Sequence, residues 1–377
     1  MKILKNSNSV HKMVIKTIKY YSMKNFYKYL VALFFLGIIA FPVNKVNAGN
    51  QDRVGQAGAD ELLINPWARS AGWGGANVAC VVGAEGMFNN IAGMAHTSKT
   101  ELLFSYTDWM SGADIKLMSF GLAQRVGESG VLGLSFVSMN FGEIDITTID
   151  LPDGGIGKFS PRYLNITLGY AKAFSNSIYG GMSLKIISES IADANAQGIA
   201  IDAGIQYVTG ERENIRFGIA LKNVGAKMKF SGDGYSLQTM VPNNSNQFTT
   251  TQRGASFELP TQLQIGASYD FLFSDAFTFI LAGNFISNSF KKDQFVIGGE
   301  FSFKDYVLLR AGYAYEEGIN KDVTDPTRTN ADKGINAGFT VQVPLKKETN
   351  SVFAIDYAFR PMDNFSNVHT IGIRFTL

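Results

Sequence analysis

The sequence is poor in the residues on which catalytic sites and disulfide frameworks depend. Its 377 residues include one cysteine, Cys80, and three histidines, His11, His96 and His369. A single cysteine excludes an intramolecular disulfide, and we expect Cys80 to be a small buried side chain. The histidines show no metal or triad spacing, and a lone histidine is more often solvated or interfacial than a general base. The sequence therefore predicts a protein that is not an enzyme and that holds no metal or cofactor.

Long hydrophobic runs are also scarce. The apolar stretch Leu30–Phe41 has twelve residues, whereas a membrane-spanning helix needs about 20. Eight lysines and no acidic residue surround it within residues 1–48, and Val46-Asn47-Ala48 resembles a signal-peptidase site. We therefore interpret residues 1–48 as a signal peptide cleaved before Gly49, with Met23 as an alternative start.

The charge balance changes once this leader is removed. The whole chain carries a net charge of +2, but residues 49–377 retain 26 basic residues against 32 acidic ones, a net charge near −6. Nucleic-acid binding usually requires a basic surface. The sequence therefore predicts no nucleic-acid partner.

What the chain does have is alternation of apolar and polar residues with a period of two, which is typical of strands. We predict fourteen strands, at 101–107, 114–125, 131–141, 163–174, 178–189, 197–208, 215–223, 262–272, 277–288, 294–303, 306–315, 335–344, 351–360 and 368–377. Short connections alternate with long ones, the longest being 142–162, 224–261 and 316–334, as in outer-membrane barrels with short periplasmic turns and long external loops. The fold class predicted for residues 101–377 is all-β, a transmembrane antiparallel β-barrel; a soluble antiparallel sandwich is the alternative.

The alternation also assigns faces to the strands. In 262–269 we expect Leu263, Ile265, Ala267 and Tyr269 to meet lipid and Gln262, Gln264, Gly266 and Ser268 to face the lumen. The same pattern places Asp356 and Arg360 in the lumen, and the tyrosines, Tyr163 among them, in an interfacial girdle. Residues 368–377 form the closing strand, with Phe375 and Leu377 on its apolar face.

Glycine is abundant, with 39 residues, and many glycines lie inside predicted strands, where they would weaken a soluble sheet. We expect them to relieve inward crowding in a curved barrel. They are Gly133, Gly169, Gly180, Gly181, Gly204, Gly218, Gly266, Gly283, Gly298, Gly299, Gly312, Gly338 and Gly372.

Residues 49–100 precede the first predicted strand and are rich in small residues. Their two motifs consist of Ala68, Arg69, Gly72, Gly74 and Gly75, and of Asn89, Asn90, Ala92 and Gly93. Glycines allow a backbone to pack closely and to turn, so this segment is predicted to be a hatch folded into the barrel lumen. A phosphate-loop interpretation of 72–75 fails because the Gly-Lys-Ser/Thr ending is lacking.

These motifs resemble the amino-terminal block of the PorV/PorQ family of outer-membrane proteins, with Ile91 where the family usually has proline. The resemblance implies a place in the outer membrane of a Gram-negative bacterium and a part in type IX protein secretion. Its partners would be outer-membrane lipid, the barrel assembly machinery, the type IX translocon barrel and secreted cargo. Loop aromatic residues are the candidate partner contacts: Phe230, Tyr235, Phe248 and Phe257.

Two other functions stay open. The related FadL family has a hatch within a fourteen-stranded barrel, and a FadL-like channel for hydrophobic small molecules would need apolar lumen residues near Leu62, Leu63, Ile64 and Trp67. A general porin would have an open, water-filled lumen, which a hatch opposes.

Overall fold

The computed structural model describes residues 53–240, 247–274, 276–346 and 351–377. The predicted signal peptide, residues 1–48, lies outside the described residues.

Fourteen antiparallel strands close into a barrel, in which the first strand pairs with the last from Glu101 opposite Thr376 to Asp108 opposite His369. The predicted fold class is confirmed, and each predicted strand agrees with the observed one to within about three residues. Numbered in chain order with the short loop strands included, the barrel strands are β1 (Thr100–Trp109), β2 (Ile115–Val126), β3 (Gly130–Asn140), β6 (Arg162–Ala173), β7 (Ile178–Ile191), β8 (Ala194–Thr209), β9 (Ile215–Gly225), β14 (Gln262–Ser274), β15 (Phe277–Asn288), β16 (Gln294–Phe303), β17 (Val307–Glu316), β18 (Ile335–Lys346), β19 (Ser351–Arg360) and β20 (Val368–Thr376).

The two ends of the barrel differ. One end, called here the turn end, carries short connections, and the other, the loop end, carries the long ones. Within the long loops, six short strands form three hairpins: β4 (Ile144–Asp145) with β5 (Lys158–Phe159), β10 (Met228–Lys229) with β13 (Ser256–Phe257), and β11 (Ser236–Met240) with β12 (Gln247–Thr251). A 3₁₀-helix, Asp233–Tyr235, precedes β11.

Burial alternates along the strands as predicted. In β14, Leu263 and Ile265 are exposed on the outer face, whereas Gln262 and Gln264 are buried in the lumen. Tyr163 is an exception to the predicted girdle: it is 1% exposed and packs inside the barrel. The prediction for Tyr163 was wrong because its register position in β6 faces inward, where apolar neighbours cover the ring.

Residues 53–99, called the hatch below, run through the lumen. They contain 3₁₀-helices at Asp60–Leu63, Gly83–Met87 and Ile91–His96 and one helical turn, α1 (Ala68–Ala71). None of the helices among the described residues has the length and apolar character to cross a membrane.

The hatch enters at the loop end, where Arg53 forms a 3.0 Å ion pair with Glu258. It leaves at the turn end, where Arg125 Nε donates to the Thr97 carbonyl oxygen at 2.8 Å. Both ends of the barrel itself lie at the turn end, as the strand count predicts. The segment before β1 nevertheless begins at the opposite end, because it crosses the whole lumen.

Candidate functional site: the plugged lumen

A ring of lumen-facing glycines surrounds the hatch. Several are direct register partners on neighbouring strands, such as Gly133 with Gly169 and Gly298 with Gly312. A Cβ atom at any of these positions would come within 3.2 Å of a hatch atom. We call this set the glycine belt: Gly121, Gly133, Gly169, Gly181, Gly204, Gly218, Gly266, Gly298, Gly312, Gly338 and Gly372.

The belt explains most of the glycines singled out in the sequence. The crowding they relieve comes from the hatch rather than from barrel curvature alone. Gly180, Gly283 and Gly299 do not belong to it, since no hatch atom is among the nearest neighbours of a Cβ placed there.

The first hatch motif is fixed to the barrel by a buried ionic network. Arg69 forms a 3.1 Å ion pair with Glu300, which also accepts a hydrogen bond from Arg310 Nε at 2.9 Å. Arg310 donates in turn to Thr340, and Thr340 donates to Asp356. Breaking a buried charge pair typically costs about 3–5 kcal/mol. The network therefore anchors the hatch to the wall formed by β16–β19.

Small residues of the same motif permit this close approach. Ala68 packs against Gly372, and Gly72 lies against Gly338 of the belt. Gly74 and Gly75 have φ values of +65° and +90°, a backbone conformation that glycine adopts without steric cost.

The second motif holds the middle of the hatch together. Asn90 Nδ2 donates to the carbonyl oxygens of Val78 and Ile205, and its Oδ1 caps the Ala92 N–H. Asn89 donates to Asn77, and Gly93 packs against the Val81 carbonyl. The motif residues thus act as structural ties between the hatch and the barrel.

Ile91, where the related motif usually has proline, has a clear packing role. Its side chain is 2% exposed and fills the space left by Gly169 and Gly181. Asn90 supplies the cap of this turn.

Two apolar clusters lie in the lumen along the wall formed by β1–β3 and β6–β8. The outer cluster, near the loop end, has as buried members Ala59, Leu62, Leu117, Val137, Met139, Tyr163, Ile187, Ala196, Ala200, Met228 and Leu259, with Ile64 packed against it. The inner cluster, near the turn end, consists of Trp67, Ala84, Met87, Ile91, Met94, Ala95, Leu103, Ala123, Val131 and Ala171. Small hydroxyl side chains separate the two: Ser105, Ser119, Ser135, Thr167 and Ser183.

Between the hatch and the loop end lies a cavity of about 380 Å³, called the vestibule. Leu63, Ile64, Phe88 and Trp109 contribute apolar surface to it. Its other lining is rich in side-chain amides: Asn65, Asn89, Gln262, Gln264, Asn288, Gln294, Asn330 and Asn336.

The two histidines within the described residues have different partners. His96 is half-buried and contacts Gln206 at 3.2 Å, whereas His369 contacts the Tyr357 hydroxyl at 2.8 Å. No cluster of three metal-ligating side chains occurs within the described part of the chain. Cys80 is buried as expected.

The structure corrects the predicted position of Glu316. The sequence places it in a solvated external loop, but it ends β17 and is 4% exposed. Its carboxylate accepts hydrogen bonds from Gln294 and Thr329, which the pairing of β16 with β17 and the fold of loop 316–334 bring together.

The four loop aromatics have different environments. Phe230 and Phe257 lie 5.7 Å apart and pack against the outer cluster, so they secure loop 224–261 to the barrel instead of standing free. Tyr235 is partly buried, and Phe248 is 47% exposed. Loop 142–162 is one of the long external loops that the sequence offers for partner contact, but sequence reasoning named none of its residues. Five aliphatic side chains are exposed there: Ile144, Ile146, Ile149, Leu151 and Ile156.

No family model matches the sequence, and no curated protein matches it. The PorV/PorQ resemblance thus has no support from a family match. Solved structures do match the fold, three of them with TM-scores of at least 0.50.

The CymD monoaromatic hydrocarbon channel is 15% identical, with 83% of this chain and 97% of that chain covered and a TM-score of 0.51. The toluene transporter TbuX of Ralstonia pickettii is 13% identical, with 82% and 97% covered and a TM-score of 0.51. The toluene transporter TodX of Pseudomonas putida is 12% identical, with 81% and 96% covered and a TM-score of 0.50. Identities this low establish fold alone, and the fold of this chain is that of a FadL-like outer-membrane β-barrel.

Proposed function

We propose that the protein is an outer-membrane channel that admits small hydrophobic molecules, with the hatch as its gate. The observation that carries the proposal is the apolar lining inside the lumen, where the hatch residues Leu62 and Trp67 each join a cluster on the β1–β8 wall. A water-filled porin lumen is polar. The proteins with similar folds, a monoaromatic hydrocarbon channel and toluene transporters, carry names that agree with this chemistry.

The hatch is held differently on its two sides. On the β16–β19 side, charged groups fix it, and a hydrophobic solute cannot replace those contacts. On the β1–β8 side, hydrogen bonds such as those of Asn90 with Ile205 and of Arg125 with Thr97 also hold the hatch. The other contacts on this side are apolar, several of them from methionines such as Met87, Met94 and Met139. Methionine side chains adapt readily to new partners. A hydrophobic solute can therefore take over these contacts at little cost, so the gap should open on this side.

Uptake of radiolabelled toluene by cells that produce the protein tests the proposal. We expect faster uptake than in cells with an empty vector, and a loss of this gain in Leu62→Asp, which places an unpaired charge in the outer cluster. Leu62→Ser should reduce uptake with less risk to folding. Ile149→Asp is the matched control, since Ile149 is 100% exposed. Uptake equal to that of the empty-vector cells would refute the proposal.

A role in protein secretion is a second candidate function, and the exposed aliphatic side chains of loop 142–162 favour it. Such a surface suits binding to a protein, and by the PorV/PorQ resemblance that protein would be a type IX translocon barrel or secreted cargo. Gentle extraction from the native membrane should then recover a large barrel with the wild type and with Leu62→Ser, but not with Ile149→Asp. Recovery of the protein with lipid alone would leave only the channel function.

A further inference from the structure

Lys222 is a buried lysine that forms no ion pair with any other described residue. It lies on the lumen face of β9, is 2% exposed, and lines the vestibule. Its Nζ atom is 3.8 Å from the ring centroid of Phe88 in the hatch. Among the described residues, the structure shows no hydrogen bond or ion pair to the Lys222 ammonium group.

Other cations near the vestibule are matched by carboxylates. Lys291 lies 3.1 Å from Asp60, and Arg360 lies 3.5 Å from Asp332. Lys185, on the neighbouring wall, is 2.6 Å from Asp202.

Asp202 already has two partners. Besides Lys185, it accepts a hydrogen bond from the backbone N–H of Asn223 at 2.7 Å. The structure shows no direct ion pair between Asp202 and Lys222. A buried ammonium without a counter-charge is costly, and an anion in the vestibule would offset that cost.

Side-chain amides stand next to Lys222. Gln262 is its register partner on β14. Gln264 donates to Gln262, and Gln262 donates to Asn288 at 2.7 Å. Each amide NH₂ group has two hydrogens, so the amides that bond to one another in this way can still donate to a ligand.

We propose that Lys222 and the amides of Gln262 and Asn288 form a binding site for a small hydrophilic oxyanion, a carboxylate or a phosphate. The anion is held by the charge of Lys222 and by amide N–H groups. Lys222, Gln262 and Asn288 belong to neither apolar cluster, although Phe88 packs against the inner one. The site goes beyond the hydrophobic channel. Because Lys222 also contacts Phe88, an occupied site bears directly on the hatch.

Calorimetric titration of the purified full-length protein tests the site, with inorganic phosphate and with acetate as probes. We expect saturable binding of at least one probe with a stoichiometry near one. Lys222→Met should weaken it at least tenfold, and Lys291→Met, a matched change in a lysine that has a carboxylate partner, should not. Melting temperatures of the variants show whether each is folded.

Three results would overturn the proposal: no saturable binding of either probe, equal binding by Lys222→Met, or Lys222-dependent binding of decanoate without binding of acetate or phosphate. The last result would assign Lys222 to an amphipathic substrate. None of these three results depends on toluene uptake. The proposed anion site and the proposed channel function can therefore be refuted independently.

Discussion

A glycine on the inner face of eleven barrel strands leaves room for the hatch. Each position of the glycine belt can be considered by itself, because a Cβ atom added there would meet a particular hatch group. At Gly312 that group is the backbone carbonyl of Trp73, which cannot move aside as a flexible side chain would. At Gly283 the nearest atom is a carbonyl oxygen at 3.9 Å, an ordinary contact.

Gly312→Ala should therefore destabilise the protein, whereas Gly283→Ala should leave it unchanged or slightly more stable. Overpacking typically costs about 1–3 kcal/mol. Thermal unfolding in detergent, followed by the mobility difference between heated and unheated samples, measures both variants. Equal melting temperatures for the two would mean that the hatch does not press on this part of the belt.

Among the elements, the hatch is attached asymmetrically. The ionic network of Arg69, Glu300 and Arg310 fixes it on one side. On the other side it is held by apolar packing together with hydrogen bonds. Of the loops, 224–261 is tied to the barrel by Phe230 and Phe257, while 142–162 exposes its aliphatic residues. The hatch, which we propose as the gate, and loop 142–162, which we propose as a contact surface, are therefore separate parts of the chain.

A disulfide on the anchored side tests this asymmetry. Ala68 Cβ lies 3.2 Å from a Cβ placed on Gly372, close enough for a bond after a small shift, since disulfide Cβ atoms are about 3.8 Å apart. In Ala68→Cys/Gly372→Cys we expect oxidation to leave toluene uptake within about twofold of the reduced protein, because the gap opens at the β1–β8 side. Loss of uptake on oxidation, restored by a reductant, would show that the hatch leaves its anchored wall.

In the molecule as a whole, the chain crosses the lumen before it builds the wall. Arg53 lies at the loop end and Thr97 at the turn end, and β1 then starts at Thr100. If the loop end faces the cell exterior, the two ends of the hatch lie on opposite sides of the membrane.

Labelling of intact cells with a membrane-impermeant maleimide checks this path. Val54 is 36% exposed at the loop end, and Ser98 is exposed at the turn end. Val54→Cys should react in intact cells and Ser98→Cys only after the outer membrane is permeabilised; the buried Cys80 gives little background. If only Ser98→Cys is labelled in intact cells, the turn end and not the loop end faces the cell exterior.

The barrel and the hatch motifs could be predicted from local patterns. The period of two gave all fourteen strands, and it placed Gln262 and Asp356 in the lumen, because neighbouring side chains on a strand point to opposite faces. The girdle assignment failed for Tyr163, because its position in the alternation faces the lumen and apolar neighbours cover its ring there.

The sequence by itself determined the number of strands, their faces and a glycine-rich segment before them, since these depend on residues close together in the chain. Only the tertiary structure decided which glycine meets which hatch residue, that Arg69 pairs with Glu300 231 positions away, and that Lys222 faces the vestibule without a carboxylate. These contacts depend on the register of fourteen strands around a closed ring and on the path of the hatch inside it. No local pattern encodes that geometry.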